Sequence, residues 1–196
     1  NRGGTAMRMT VLFGSPRGAE SNTRALLMPL LETWRQAGHA AEIYDLYDLK
    51  IEGCRACLGC QQDWEAPACV LDDDMQPIFD SILRSDLTPL ATPIYSWYCT
   101  APVKAALDRL VYAMDKYYGP RGKGPALLAG KPMAAVLTCA TGRRRVQTSL
   151  RRGCAAGAAI PVCAGWAVWR SATWAAVPCS WTAKRRLTPE PSPRRL

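Results

Sequence analysis

The stretch from Thr10 to Thr23 carries residue types that can bind an anion. An apolar run ends in a turn rich in Gly, Ser and Pro, and three consecutive polar residues, 21–23, can then cap the start of a helix. When a strand, a loop and a helix follow in this order, the loop amides and hydroxyls and the helix dipole favour negative charge. The stretch lacks both the lysine of a Walker A motif and the spaced glycines of a dinucleotide site. It therefore predicts a mononucleotide phosphate held by hydroxyls and amides, with an ordinary strand-to-helix turn as the alternative.

Four closely spaced cysteines form a second group that could do chemistry. They follow the pattern Cys-x2-Cys-x2-Cys-x8-Cys at Cys54, Cys57, Cys60 and Cys69. The sequence shows no signal peptide and no apolar run long enough to cross a bilayer, so we expect a cytoplasmic protein without a membrane partner. In that compartment such spacing is more typical of metal or redox chemistry than of disulfides. The other five cysteines, at 99, 139, 154, 163 and 179, have no ligand spacing.

Apolar periodicity predicts the elements that must position these residues. Strands are expected at 8–13, 41–45, 87–91 and 133–138, and an amphipathic helix follows each of the first three. This alternation indicates a doubly wound parallel sheet with helices on both faces, a three-layer α/β fold. Ligands of such sheets bind beyond the carboxyl ends of the strands. We therefore expect the loops at 14–23 and 92–98, and the turn after Thr138, to converge on one ligand.

Charge divides the chain into two parts. Residues 1–141 contain 14 Lys and Arg against 15 Asp and Glu, whereas residues 142–196 contain 11 Lys and Arg against a single acid. The first part has the length and periodicity of one domain with a sizeable core. In the second part the periodicity fades, and only residues 160–169 could form a further strand. We therefore expect a folded domain at 1–141 followed by a basic tail at 142–196 that is rich in Arg, Trp and Pro.

The composition of this tail is typical of what GC-rich DNA encodes in a wrong reading frame. Codons can be chosen for residues 142–153 such that reading from the third base of each codon encodes the start of an acidic amphipathic helix. The fold requires such a helix after its fourth strand. We therefore predict that the tail is a frameshifted remainder of the same domain. A basic tail can also bind nucleic acid, but this one contains no recognisable motif, and we expect no nucleic-acid partner.

Four motifs, in order along the chain, resemble those of the NADPH-dependent FMN reductase family. They are Leu12-Phe-Gly-Ser-Pro-Arg17 with Ser21-Asn-Thr23, the cysteines leading into Asp72-Asp-Asp-Met75, Thr92-Pro-Ile-Tyr95, and Lys104-Ala-Ala-Leu-Asp-Arg109. The resemblance covers residues 8–141 and points to the iron–sulfur flavoproteins within the flavodoxin-like superfamily. It implies a flavodoxin-like fold and an oxidoreductase that passes electrons from NADPH or NADH through FMN to a quinone, a flavin or a redox protein. Members of the family commonly pair, so the resemblance also implies a homo-oligomer.

The resemblance further implies which residues bind FMN. The phosphate loop, residues 14–23, would contribute Ser15, Arg17, Ser21, Asn22 and Thr23, and the ring loop, residues 92–98, would contribute Pro93, Ile94, Tyr95, Ser96 and Trp97. Backbone amides of the ring loop can hydrogen-bond the isoalloxazine ring while aromatic side chains cover its face. Because the cofactor carries the electron chemistry, no catalytic side chain is expected. The alternative for Tyr95, Trp97 and Tyr98 is packing in the core.

For the four cysteines, the resemblance implies a [4Fe-4S] cluster held by four thiolates. The last gap is longer here than is usual in the family. A thiol-rich loop without a cluster and a zinc site held by four thiolates therefore stay open. A cluster would favour the alternative function, an electron-transfer module without NAD(P)H turnover of its own.

Overall fold

The core of the fold is a parallel sheet of four strands. The computed structural model describes residues 5–139, 166–170 and 173–177. The parallel strands are β1 (Arg8–Phe13), β2 (Ala40–Asp45), β3 (Thr88–Pro93) and β4 (Met133–Thr138). They lie in the order β2-β1-β3-β4, which is the order of flavodoxin-like sheets and confirms the predicted α/β fold.

Helices cover both faces of this sheet. They are α1 (Asn22–Gln36), α2 (Met75–Arg84) and α3 (Ala101–Met114). Val11 and Phe13 pack with Leu27 of α1, whereas Leu12 packs with α2 and α3, because successive side chains of a strand point to opposite faces. The predicted three-layer arrangement is therefore present, with α1 on one face and α2 and α3 on the other. Within the described residues, none of the helices has the length and apolar character needed to span a membrane.

Pro89 lies in the central strand β3, although proline has no N–H to donate to a sheet. The pairing of β1 with β3 is interrupted at this point, because Met9 bridges Leu87 and regular pairing resumes only at Leu12 with Leu90. On its other side, β3 pairs with β4 along its whole length. The missing donor is therefore accommodated in a gap of the β1–β3 ladder.

Two outer strands, β5 (Trp166–Arg170) and β6 (Thr173–Val177), extend the sheet beyond β4. β5 is antiparallel to β4, and β6 is antiparallel to β5, so this part differs from the all-parallel sheet that the sequence predicts. Antiparallel neighbours need no crossover helix between them. The predicted strand at 160–169 overlaps β5 at 166–169, and residues 160–165 lie outside the described residues, as does most of the predicted tail.

The carboxyl end of β1 is held closely against α3. The sequence predicts that the Thr100 side chain caps α3, but it makes no capping bond. Its hydroxyl donates instead to the carbonyl of Gly14 at 2.9 Å, and its amide donates to the hydroxyl of Thr92. Gly14 has no room for a side chain, because an added Cβ would collide with Val103. These contacts place the phosphate loop and the ring loop side by side.

Candidate functional site

The phosphate loop and the ring loop lie where the connections that follow β1 and β3 turn to opposite faces of the sheet. β1 and β3 are adjacent strands. The chain continues from β1 into α1 on one face and from β3 into α3 on the other. In open α/β sheets, the crevice at such a divergence is where ligands bind. Both loops therefore lie where the sequence predicts a ligand.

Ser21 organises the phosphate loop. Its hydroxyl donates to the carbonyl of Gly18 at 2.9 Å and accepts from the amide of Arg24 at 3.1 Å, so it caps α1 as predicted. Asn22 and Thr23 occupy the first turn of α1, where amides have no acceptor inside the helix. Together with the helix dipole, these amides favour an anion at this end of α1.

The hydroxyl side chains of the phosphate loop are buried. Ser15, Ser21 and Thr23 are only 3%, 4% and 1% exposed, whereas the side chains of Arg17 and Asn22 are exposed. The hydroxyl of Thr23 lies 2.7 Å from that of Thr138 at the end of β4. Sequence reasoning placed the turn after Thr138 at this edge but assigned Thr138 itself no role. Its position as a polar residue that ends a strand is the signal that could have included it.

The ring loop forms a tight turn over residues 95–98. The backbone of Tyr95 bonds that of Tyr98 in both directions, each at 2.9 Å, and Ser96 and Trp97 have positive φ angles of 47° and 66°. Left-handed backbone at residues other than glycine costs energy and is common at functional sites. The side chains of Tyr95 and Trp97 are 50% and 64% exposed, and Tyr98 is also exposed. Core packing, the alternative for these aromatic residues, is therefore wrong.

Pro93 and Ile94 anchor the ring loop to β4. Pro93 pairs with Thr138, and the amide of Ile94 donates to the carbonyl of Thr138 at 2.7 Å. The Ile94 side chain packs against Leu137. Thr138 thus contacts both loops, the phosphate loop through its hydroxyl and the ring loop through its carbonyl.

The residues of this crevice fit FMN in their chemistry. Hydroxyls and the first-turn amides of a helix suit a phosphate, and exposed aromatic side chains suit the face of a planar ring. The roles assigned to the individual residues of the two loops stay predictions.

The four predicted ligand cysteines line one concavity beside α3. They share it with Arg109 of α3. Three residues of this segment other than glycine have left-handed backbone, with φ angles of 51°, 58° and 52°: Ala56, Leu58 and Ala68. Each is adjacent in sequence to a cysteine, so strained backbone lies between successive thiols.

The four thiols do not surround a single point. Among the residues that the structure describes, no group of three or more His, Cys, Asp or Glu side chains is arranged to hold a metal ion. Cys60 is buried and its thiol donates to the carbonyl of Tyr112 at 3.3 Å, whereas Cys57 is exposed. The cysteines thus share a concavity without ligand geometry, and the cluster stays a prediction.

Arg109 and Asp73 form a buried ion pair at this concavity. One guanidinium nitrogen of Arg109, Nη1, bonds both carboxylate oxygens of Asp73, at 2.5 and 2.7 Å. The other, Nη2, lies 3.4 Å from the sulfur of Cys69. Among the described residues, the Nε of Arg109 finds no hydrogen-bond partner, although it is buried. By residue type, though not by their present geometry, four thiols beside an unpaired cationic N–H suit an anionic iron–sulfur cluster.

From the sequence alone, Asp108 and Arg109 are most simply interpreted as exposed or paired charges of a helix. The Arg109 side chain is indeed paired, but it is fully buried. Arg109 lies three residues after Ala106 and four before Ala113, and both alanines are buried. This helical spacing is the signal that places Arg109 on the inner face of α3.

Lys116 is a second buried cation at the cysteine segment, and sequence reasoning missed it. Its ammonium donates to the carbonyls of Cys60, Ala66 and Pro67 at 2.8, 2.7 and 3.1 Å. Burial lowers the pKa of Lys116 and raises the pKa of the Cys60 thiol. The ammonium thus ties together two parts of the segment that carry Cys60 and Cys69.

Known proteins with similar sequences are iron–sulfur flavoproteins. The protein of that name from Methanosarcina thermophila is 31% identical over 126 residues, which are 63% of this chain and 63% of its own length. One from Archaeoglobus fulgidus is 30% identical over 105 residues, 54% of this chain and 46% of its own length. The chain therefore spans less than two thirds of the length of these relatives.

Solved structures share the fold. An NAD(P)H:quinone oxidoreductase from Methanothermobacter marburgensis has a TM-score of 0.55 and 23% identity, covering 75% of this chain and 74% of its own. An FMN-dependent NADH-azoreductase from Bacillus anthracis in complex with FMN has a TM-score of 0.50 and 13% identity, covering 70% of this chain and 71% of its own. The family model for NADPH-dependent FMN reductase matches residues 7–173. The chain belongs to the NADPH-dependent FMN reductase family.

Proposed function

We propose that this chain is an FMN-dependent NAD(P)H oxidoreductase whose flavin passes electrons to a quinone, a free flavin or a redox protein. The observation that carries the proposal is the meeting of a capped helix N-terminus and an exposed aromatic turn at one crevice. Family membership supports it, and so does the FMN in the azoreductase of similar fold.

The phosphate loop would hold the phosphate group of FMN. The amides of Asn22 and Thr23 lie in the first turn of α1, at its positive end, and the same loop carries the hydroxyls of Ser15, Ser21 and Thr23. Arg17 is exposed in the same loop and can add a positive charge. Hydrogen bonds to a charged phosphate are stronger than those between neutral groups, so this loop would supply much of the affinity.

The ring loop would orient the isoalloxazine ring. The amides of Ser96 and Trp97 take no part in closing the turn over residues 95–98, so they can reach the polar atoms of the ring. Tyr95 and Trp97 can cover its face and exclude water. When bound, FMN supplies the hydride and electron chemistry. The chain's own work is to bind the cofactor, orient it and adjust its electrostatic surroundings.

An FMN titration tests this proposal. Apoprotein should quench FMN fluorescence with a one-to-one endpoint, and the loaded protein should oxidise NADPH or NADH when a quinone or free flavin is supplied. Riboflavin, which lacks the phosphate, is the matched control and should bind more weakly. Equal affinity for riboflavin and FMN would contradict a phosphate site at α1, and absence of flavin binding would contradict the whole proposal.

A cluster-bearing electron-transfer module is the second candidate, and it is favoured by the four thiols and Arg109 at one concavity. If the cysteines hold a [4Fe-4S] cluster, they would act as its four thiolate ligands. Four thiolates also suit zinc, and the sequence leaves both open. The cluster would favour electron transfer to or from another redox protein.

Anaerobic reconstitution with iron and sulfide separates these cases. A cluster predicts about four iron and four sulfide per chain, lost when Cys54 or Cys69 is replaced by Ser and retained in the control variant Cys139→Ser. Uptake of zinc in preference to iron would indicate a zinc site, and uptake of neither metal would leave a thiol-rich loop. Fast NAD(P)H oxidation by the flavin-loaded protein would argue for the reductase over the electron-transfer module.

A further inference from the structure

We propose that Arg109 is a positioning residue for the cysteine site, which orients Cys69 and raises the reduction potential of the cluster bound there. The inference rests on the cluster of the second candidate function. It concerns the residues behind the thiols rather than the thiols themselves.

The contacts of Arg109 are divided between two tasks. Nη1 bonds the carboxylate of Asp73, while Nη2 contacts the sulfur of Cys69 and the carbonyl of Leu71, at 3.4 and 3.3 Å. Asp73 is itself held in place, since its carboxylate accepts from the backbone amides of Glu52 and Met75. The guanidinium therefore has a defined position between an anchored carboxylate and Cys69.

The buried ion pair of Arg109 and Asp73 is an inefficient way to stabilise a fold. A buried ion pair is often no more stabilising than apolar side chains of similar volume, and Arg109 additionally buries an unpaired Nε. A buried donor without a partner destabilises the folded state further. A functional reason for the guanidinium is therefore favoured, and the concavity that it lines contains all four cysteines.

A cation at this place acts on a cluster through its charge. Net charge and hydrogen bonds to sulfur are among the properties that set iron–sulfur potentials, and groups behind the ligands orient them. Asp73 carries the opposite charge, but the guanidinium is the member of the pair that touches Cys69. The nearer positive charge stabilises the reduced, more negative cluster and so raises its potential.

The test measures the midpoint potential of the reconstituted cluster in the full chain. The variant Arg109→Met/Asp73→Asn removes both charges of the pair, so neither partner is left as a buried charge without the other. It should keep the parent's iron content but have a lower potential. Arg109→Lys retains the charge and should stay close to the parent. The matched control is Lys104→Met/Asp108→Asn, which removes an exposed ion pair on the same helix and should leave the potential unchanged.

A second variant predicts a shift of opposite sign. Asp73→Asn alone leaves the guanidinium without its counter-charge and should raise the potential. Unchanged potentials in iron-loaded Arg109→Met/Asp73→Asn or Asp73→Asn would overturn the role of Arg109 only. A lowered potential in Arg109→Lys equal to that of the double variant would do the same. A parent protein that takes up no iron would overturn the cluster itself.

Discussion

The hydroxyl groups of Thr23 and Thr138 lie 2.7 Å apart and join the first turn of α1 to the carboxyl end of β4. The two residues are separated by 115 positions in the sequence. Thr138 also accepts the amide of Ile94 through its carbonyl. One contact point therefore couples the phosphate loop, the ring loop and the fourth strand, and a change in any of them should alter the proposed flavin site.

Replacing Ser21 and Thr23 together by Ala should weaken FMN binding by about 1–3 kcal/mol, because each change removes a hydroxyl from the proposed phosphate site. Fluorescence titration of FMN into apoprotein measures the difference. Thr33→Ala is the matched control, since its hydroxyl bonds the carbonyl of Pro29 within the same helix. Unchanged FMN affinity in the double variant would mean that the phosphate binds elsewhere.

Gly14→Ala should destabilise the protein by about 1–3 kcal/mol, because the added methyl overpacks the contact between β1 and α3. The new Cβ would collide with Val103 and lie 3.0 Å from the Thr100 hydroxyl. Denaturant unfolding measures the loss. At Gly53, an added Cβ meets nothing within 4 Å, so Gly53→Ala should be close to neutral. Equal stability of the two variants would contradict the close packing described at Gly14.

Lowering the pH should remove the stability that the ion pair of Asp73 and Arg109 contributes. Burial raises the pKa of Asp73, but hydrogen bonds from Arg109 and from the amides of Glu52 and Met75 outweigh it, so the net pKa lies below the ordinary value. The pair therefore contributes stability above the unfolded-state pKa of about 4, and this stability is lost as the pH falls through the lower pKa of the folded state.

Asp73→Asn should accordingly be less stable than the parent at neutral pH, by about 3–5 kcal/mol, and the difference should shrink below about pH 4. Unfolding free energies measured between pH 2 and pH 7 check this. Asp80→Asn, at an exposed aspartate of α2, provides the comparison. A difference that stays constant across this range would mean that Asp73 gains nothing from its charge.

The thiols of Cys57 and Cys99 should differ in reactivity. Burial raises the pKa of Cys99 to about 11, so only about one thiol in a thousand is ionised at pH 8. Cys57 is exposed. Iodoacetamide at pH 8 should therefore label Cys57 well before Cys99, as read by mass spectrometry of peptides. In denatured protein the two rates should converge, and fast labelling of Cys99 in the native protein would contradict its raised pKa.

The DNA that encodes residues 142–196 should contain a better reading frame. Two observations motivate this prediction: the switch of net charge at residue 142, and the antiparallel pairing of β5 with β4 where the fold predicts another parallel strand. Sequencing the gene decides the matter. The family match extends to residue 173, which is beyond the switch of net charge. A gene in which no alternative frame improves on the present one would disprove the frameshift.

The parallel sheet and the phosphate loop could be predicted because their signals are local. The apolar run of β1, which is buried on both faces of the sheet, and the cap at Ser21 depend on residues within a few positions of one another. The left-handed turn over residues 95–98 was harder to predict, since neither Ser96 nor Trp97 is a residue type that commonly adopts a positive φ. Their outward exposure, and hence the failure of the core-packing alternative, required the folded chain.

What the sequence by itself determined was the order of strands and helices, the edge at which the loops meet, and the spacing of the four cysteines. Each follows from periodicity and neighbouring residue types. The tertiary structure alone decided the contacts of Arg109 with Asp73 and Cys69, of Lys116 with three carbonyls, and of Thr23 with Thr138. These contacts form because the fold packs segments that are distant in the sequence against one another. No local sequence pattern shows which distant partner a buried charge or hydroxyl will contact.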